Sequence, residues 1–270
     1  MLKLLKYEWK ACARICLPLC GGLLLMSLVT RLMTTDRLVN LLNGAPAAVM
    51  TMLYVSMIVA VLVVVTVLLL QRFYKSLLGD EGYLMFTLPV TVGQHIWAKT
   101  IIATVMTVLS LIAVVASVCV LGIGYGLGEG LRQFAAEVTA QFAREPHSFF
   151  WMLELLVWAL LKTVAGTLFT YLCIALGHLA KKHRLLMATV WFFVLTTAVQ
   201  FVLMLVLTTG VVALPVDGIW AALRGVVNTI GANASIHLLM LGLCLGTAVI
   251  PGAVCFAGTR YILKNHLNLE

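Results

Sequence analysis

The chain has 270 residues, of which 63% are hydrophobic and only 10% are charged, whereas an ordinary soluble domain carries roughly 25% charged residues. This composition excludes a soluble globular protein and indicates an integral membrane protein. The formal net charge of +8 does not call for nucleic acid as a partner, because basic residues that flank apolar segments account for most of it.

The first fourteen residues, MLKLLKYEWKACAR, repeat apolar side chains every three or four positions beside a basic face. This pattern is typical of an amphipathic helix on the inner membrane surface, and it predicts such an interfacial helix over residues 1–14. A basic flank that only sets the orientation of the first span is the alternative. We expect the segment to be retained, because the cleavage-like site Ala45–Ala47 lies well past the apolar run.

Six apolar segments follow, each long enough to cross a hydrocarbon core of about 30 Å as a helix. In chain order they cover about Ile15–Met33, Pro46–Leu70, Thr100–Ile123, Phe149–Leu179, Leu185–Thr209 and His237–Ile262. No segment alternates like a barrel strand, and backbone groups in lipid must be hydrogen-bonded within their own segment. The predicted fold class is therefore all-α and polytopic, with six transmembrane helices in a single domain over residues 1–270.

Basic residues in the flanking loops predict the orientation of these spans. An even number of spans places both termini on one side, and most lysines and arginines fall on that side. Arg31, Arg37, Arg132, Arg144 and Arg224 fall on the other side, and Lys162 lies within a span. We therefore expect cytoplasmic termini and a cytoplasmic segment 71–99 between the second and third spans.

The sequence carries none of the motifs that usually bring chemistry. It contains no G-x-x-x-x-G-K-[ST], H-E-x-x-H or G-x-S-x-G, so we predict no enzyme, no catalytic residue and no directly bound cofactor. Cys12, Cys16 and Cys20 recur four residues apart without the paired spacing of a zinc site, which predicts packing residues and no metal. The glycine-rich run Gly122–Gly130 ends a span, as a helix end or hinge would, instead of following a strand as a phosphate loop does.

Two segments between spans are predicted to lie on the outer side. Residues 125–148 contain a helical stripe of apolar residues, namely Leu131, Phe134, Val138 and Phe142. Residues 210–236 mix proline, aspartate and tryptophan with apolar residues. Both segments fit interfacial or partly re-entrant helices.

Ionisable residues inside predicted spans are the usual candidates for function in a membrane protein. Glu154 and Lys162 are eight residues apart and therefore share a helix face. A transport role is one interpretation, and the simpler one starts the span near Lys162, with that side chain snorkelling to the outer interface. His178 near the inner end of the same span fits either a packed residue or a proton relay.

The segment 71–99 predicts an elbow that faces the cytoplasm. Gly79 breaks a short helix, Pro89 forces an extended stretch, and Thr91–Gln94 reads as a capping box that starts the next helix. Acidic and aromatic residues would then project from a rigid bend, as in many docking sites for a protein partner. These residues are Asp80, Glu81, Tyr83 and Phe86. An ordinary connecting loop is the alternative.

Four strings, FYKSLLGDEGYLMFTLPVTVGQHIWAK, KYEWKA, LGHLAKKHRLL and RYILKNHLNLE, resemble bacterial export-type ABC permeases of the type-two (type V exporter) class. The resemblance implies a permease in the bacterial cytoplasmic membrane that contacts lipid and pairs with a second permease, as a homodimer or heterodimer. ATP and Mg²⁺ would bind to separate ATPase subunits, which would contact Asp80, Glu81, Tyr83 and Phe86. The family often has glutamine at the position of His178.

The cargo cannot be read from the sequence, and a lipid, a hydrophobic peptide and an amphiphilic drug all suit an apolar path. Two other classes of protein stay open as alternatives. A secondary transporter would place ionisable residues or broken helices near the bilayer midplane in both halves. A non-transporting membrane scaffold or sensor would need neither a dimeric pathway nor ATP.

Overall fold

The computed structural model describes residues 2–35, 45–77, 91–123, 127–145, 147–180, 183–213, 218, 225 and 231–265. Within these ranges the structure is helical and has no strand, which confirms the all-α fold class. The helices are α1 (Leu2–Met33), α2 (Ala45–Leu77), α3 (Val92–Gly122), α4 (Leu127–Arg144), α5 (His147–His178), α6 (Arg184–Ala213), α7 (Ala232–Cys244) and α8 (Ile250–Asn265), with a π-helical turn, Leu245–Val249, between α7 and α8.

Among the described residues, five helical segments are long and apolar enough to cross a membrane. They are Leu4–Met33, Ala47–Leu77, Val92–Gly122, His147–His178 and Asn233–Asn265, where the last one runs through α7, the π turn and α8. The predicted span Leu185–Thr209 falls in α6, whose apolar stretch within the described side chains is the shorter segment Leu186–Val202. The chain thus has the helices of a multi-pass membrane protein, and the sixth span stays a prediction.

Several helices are longer than the spans that hydropathy predicts. The first runs without interruption from Leu2, through the predicted interfacial residues 1–14, to Met33. The second continues past Leu70 to Leu77, and the third begins at Val92, directly after Thr91, where the capping pattern places a helix start. Residues 78–90 of the predicted elbow lie outside the described residues.

The chain divides into two compact units, and the first contains Met1–Ser76 and Gly93–Arg144. Its apolar core is formed by buried side chains of α1, α2 and α3, such as Leu23, Val61 and Met106. Tyr54 of α2 and Ser117 of α3 are hydrogen-bonded at 2.8 Å inside it. All seven cysteines are free thiols, and Cys12, Cys16 and Cys20 are buried along one face of α1, which confirms them as packing residues.

Helix α4 follows α3 in the first unit and has the composition of an amphipathic helix. Glu129 lies in its first turn and Arg144 in its last turn, where their charges complement the helix dipole. Leu131 and Phe134 of the predicted apolar stripe are exposed. The predicted helix in segment 125–148 is therefore present, while its position at an outer membrane surface stays a prediction.

The second unit contains Leu77–Val92 and Glu145–Glu270, and α5 is its central helix. This helix packs against α6, α7, the π turn and α8. Small residues allow the close approaches: a Cβ added at Gly252 of α8 would lie 3.5 Å from the Cβ of Ala165. Among the described glycines, the tightest approach joins α5 to α6, because a Cβ added at Gly177 would clash with the backbone of Ala188.

Candidate functional site

Three charged side chains from three helices meet in the first unit, and we call them the Glu8 cluster. The Glu8 Oε2 of α1 accepts a hydrogen bond from Arg72 Nε of α2 at 2.6 Å. Its other oxygen, Oε1, accepts one from Lys99 Nζ of α3 at 2.7 Å. A single carboxylate therefore links α1, α2 and α3.

The Glu8 cluster is largely removed from solvent. The side chains of Glu8 and Lys99 are 5% and 4% exposed, and only Arg72 reaches outward, at 32%. Burying an ionised group is costly unless it is paired and hydrogen-bonded. Because Glu8 uses both oxygens and faces two cations, the carboxylate and the buried ammonium of Lys99 stabilise each other within the apolar packing.

The Glu8 cluster is a candidate functional site because of where it lies on α2 and α3. Arg72 lies in the last two turns of α2, which ends at Leu77, and Lys99 lies in the first turns of α3, which begins at Val92. The cluster thus joins the two helix ends that flank residues 78–90 and ties both to α1. The predicted contact residues Asp80, Glu81, Tyr83 and Phe86 lie outside the described residues, so their contact role stays a prediction.

The sequence patterns reveal none of the Glu8 cluster. Arg72 and Lys99 count only as basic residues that flank spans, and Glu8 is the hardest member to recognise. It is the only acid among the basic residues of the first fourteen, and as part of an amphipathic helix it resembles a solvated side chain. The sequence does contain one indication of its role, because Glu8 is a single acid in a basic segment. It could therefore serve as a common partner for Arg72 and Lys99, which lie near the ends of the next two helices.

A second set of polar contacts runs along α5, and we call it the α5 stripe. Glu154, Trp158 and Lys162 are spaced four residues apart, which places them on one helix face. Glu154 Oε1 is hydrogen-bonded to His237 Nδ1 of α7 at 2.7 Å. Trp158 Nε1 donates to Thr247 Oγ1 at 3.0 Å, and Lys162 Nζ donates to the Thr247 carbonyl oxygen at 3.0 Å. The shared face of Glu154 and Lys162 is confirmed.

The partner of the α5 stripe is an irregular part of the last spanning segment. In the π turn Leu245–Val249, the backbone N–H of Ile250 donates to the carbonyl of Leu245, five residues back. Thr247 Oγ1 donates to the Leu243 carbonyl at 2.7 Å while it accepts from Trp158. Single π turns inside α-helices often occur at functional sites. Hydropathy does not predict this one, since the apolar pattern continues through it.

The predicted site residue His178 does not belong to the α5 stripe. It is the last residue of α5, and its Nε2 lies 3.4 Å from Arg184 Nη1 at the start of α6. Arg184 is the donor in this contact, because a guanidinium has no acceptor atom. The contact links the end of α5 to the start of α6. The functional role of His178 stays a prediction.

Comparison with known proteins identifies no relative: no family model, curated protein or solved structure matches the chain. The resemblance to export-type ABC permeases therefore stays a hypothesis that rests on the quoted strings.

Proposed function

We propose that this chain is the membrane-spanning permease subunit of an ATP-driven exporter similar to the export-type ABC permeases. The Glu8 cluster is the observation that carries the proposal. It joins the helix ends on both sides of residues 78–90, the segment that would contact a separate ATPase.

The buried ion pairs supply a way to pass motion from that segment to the helices. Separating Glu8 from Lys99 would leave the buried ammonium of Lys99 without a counter-ion, so α1, α2 and α3 are expected to move together at this end. A displacement of residues 78–90 by an ATPase would then shift a rigid group of helices, as alternating access requires. This chain would form the path and the gate, and the ATPase would supply the energy.

The division into subunits follows from what the sequence contains. With no G-x-x-x-x-G-K-[ST] motif, the chain has no such means of cradling a nucleotide, so ATP and Mg²⁺ belong on the partner. One set of spans would form half of a pathway, which calls for a second permease subunit, identical or different. In this proposal the protein lies in the bacterial cytoplasmic membrane with both termini in the cytoplasm.

Co-purification with the ATPase encoded beside this chain tests the proposal. Wild type is compared in nanodiscs with the double variant Glu81→Arg, Phe86→Ala, and ATP hydrolysis of the captured complex is recorded. The matched control is Phe134→Ala, Glu137→Arg, which makes the same two kinds of change on exposed residues of α4.

We expect wild type and the α4 control to capture the ATPase, and the Glu81, Phe86 variant to lose most of it while keeping its helical circular dichroism. Equal capture by all three proteins would reject residues 78–90 as the contact. Failure of wild type to capture the ATPase would reject the exporter and favour the scaffold or sensor.

One observation favours a secondary transporter as the second candidate. Glu154 and His237 form a hydrogen-bonded carboxylate–imidazole pair between two apolar helices, and proton-coupled transporters often contain such residues within their spans. Proteoliposomes with an imposed pH gradient and no ATP distinguish the two candidates. Proton uptake that is abolished by Glu154→Gln would support the secondary transporter, and its absence in wild type would remove that candidate.

A further inference from the structure

Lys162 carries a charge that no acid in the described part of the chain neutralises. Its one hydrogen bond there is to the Thr247 carbonyl in the π turn. Glu154 lies two turns away on α5 and is bonded to His237. An ammonium group has three N–H donors, so two of them lack an acceptor among the described residues. The side chain itself is exposed on the surface of an apolar helix.

If α5 spans the membrane upright, its length places the Cα of Lys162 inside the hydrocarbon core. The 32 residues of the helix extend about 48 Å, and a membrane core measures about 30 Å. Lys162 lies about 22 Å from the His147 end, so an upright α5 keeps it at least about 4 Å inside the core, whichever end projects. Lysines at such depth are rare and usually mark a pathway for a substrate or ion.

The surface around Lys162 has room for a bound group. Gly166 lies one turn further along the same face of α5, and Gly246 precedes Thr247 in the π turn. A Cβ added at either glycine would meet no atom within 4 Å. An oxygen-rich group could therefore approach the two remaining donors of the ammonium from this open side.

The helices that carry Lys162 and Thr247 expose apolar side chains, so a ligand that reaches this depth needs an apolar body. Leu155 lies two turns before Lys162 on the same face of α5 and is 51% exposed, and Leu245 and Val249 are exposed at the two ends of the π turn. Acyl chains pack against such residues, whereas a free inorganic anion would lose its hydration without compensation. The surroundings thus favour an amphiphile over a small ion.

We propose that Lys162, with the π turn at Thr247, binds the anionic headgroup of a membrane amphiphile, through charge-assisted hydrogen bonds to phosphate or carboxylate oxygens. If the chain is an exporter permease, as proposed above, acidic amphiphiles are its substrate class, and only this last step rests on that function. The binding itself needs neither ATP nor a partner.

Lipid binding to the purified full-length chain tests the site. The delipidated protein in non-ionic detergent is titrated with dioleoyl phosphatidylglycerol and, separately, with dioleoyl phosphatidylcholine, and native mass spectrometry gives the Kd. The variants are Lys162→Gln, Lys162→Arg and Gly166→Leu, which fills the open side. The matched control is Lys264→Gln, which removes another exposed lysine of the same unit. A further titration measures displacement by inorganic phosphate.

We expect phosphatidylglycerol to bind wild type at least about tenfold more tightly than phosphatidylcholine, as one charge-assisted hydrogen bond provides. Lys162→Gln and Gly166→Leu should each weaken that binding by about tenfold, while Lys162→Arg and the control stay within about twofold. Unchanged affinity in the folded Gly166→Leu and Lys162→Gln variants would overturn the site. Equal affinity for the two lipids would reject headgroup recognition, and displacement by an equal concentration of phosphate would reject the amphiphile.

Discussion

Lys99 and Lys162 are both lysines of long apolar helices, but they differ in burial and in the group that each ammonium contacts. Lys99 is 4% exposed and lies 2.7 Å from the carboxylate of Glu8. Lys162 is exposed and contacts a backbone carbonyl instead of an acid. The first ammonium is neutralised within the protein, so it holds helices together. The second keeps its charge available for a ligand.

The same contrast separates the Glu8 cluster from the α5 stripe. In the cluster, one carboxylate satisfies two cations from different helices, so removing it affects α1, α2 and α3 at once. In the stripe, each side chain of α5 has its own contact on the last spanning segment. We expect the stability of the first unit to depend on its charges, and that of the second unit on the packing of its helices.

The largest effect is expected at the shared acid of the Glu8 cluster. Glu8→Gln removes the charge but keeps the shape, and it leaves Lys99 buried without a counter-ion. Breaking a buried pair in this way costs about 3–5 kcal/mol of unfolding free energy. Thermal unfolding in detergent, followed by circular dichroism, measures the change.

A second substitution shows whether the uncompensated charge causes that loss. Lys99→Met in the Glu8→Gln background removes the orphaned ammonium, so it should restore most of the lost stability. A double variant as unstable as Glu8→Gln alone would show that the shape of the cluster, not its charge balance, holds the helices.

The next effect is expected where α5 approaches α6 most closely. Gly177→Ala places a methyl group in a clash with the backbone nitrogen of Ala188, so the helices must separate. Overpacking of this kind costs about 1–3 kcal/mol or more. Gly166→Ala is the control on the same helix, because its methyl group would meet nothing within 4 Å. Equal unfolding temperatures for the two variants would contradict the dependence of this unit on close packing.

A smaller effect is expected for the neutral polar pair of the first unit. Tyr54→Phe and Ser117→Ala each remove one side of their 2.8 Å hydrogen bond. A neutral bond of this kind contributes about 0.5–1.5 kcal/mol. A double-mutant cycle in thermal unfolding isolates the coupling, which should fall well below the loss for Glu8→Gln. A coupling as large as that loss would show that the Glu8 cluster contributes no more to stability than this neutral pair.

Much of this fold can be predicted from the sequence, since a run of about 20 apolar residues in lipid has few alternatives to a helix. The start of α3 after Thr91 and the shared face of Glu154 and Lys162 follow from local spacing. The partners of those residues could not be predicted. Whether Glu8 meets Lys99, or Lys162 meets Thr247, depends on how helices distant in sequence pack, and the apolar pattern of residues 245–249 looks the same for an α-helix and a π turn.

The distinction between a neutralised lysine and an available one is tested most directly by Lys99→Gln and Lys162→Gln, compared in the same detergent. We predict that Lys99→Gln lowers the unfolding free energy by about 1–3 kcal/mol and leaves the Kd for phosphatidylglycerol within about twofold. Lys162→Gln should raise that Kd about tenfold and change stability by less than about 0.5 kcal/mol. If both substitutions change the same quantity by similar amounts, the two lysines do not have separate roles and this account is wrong.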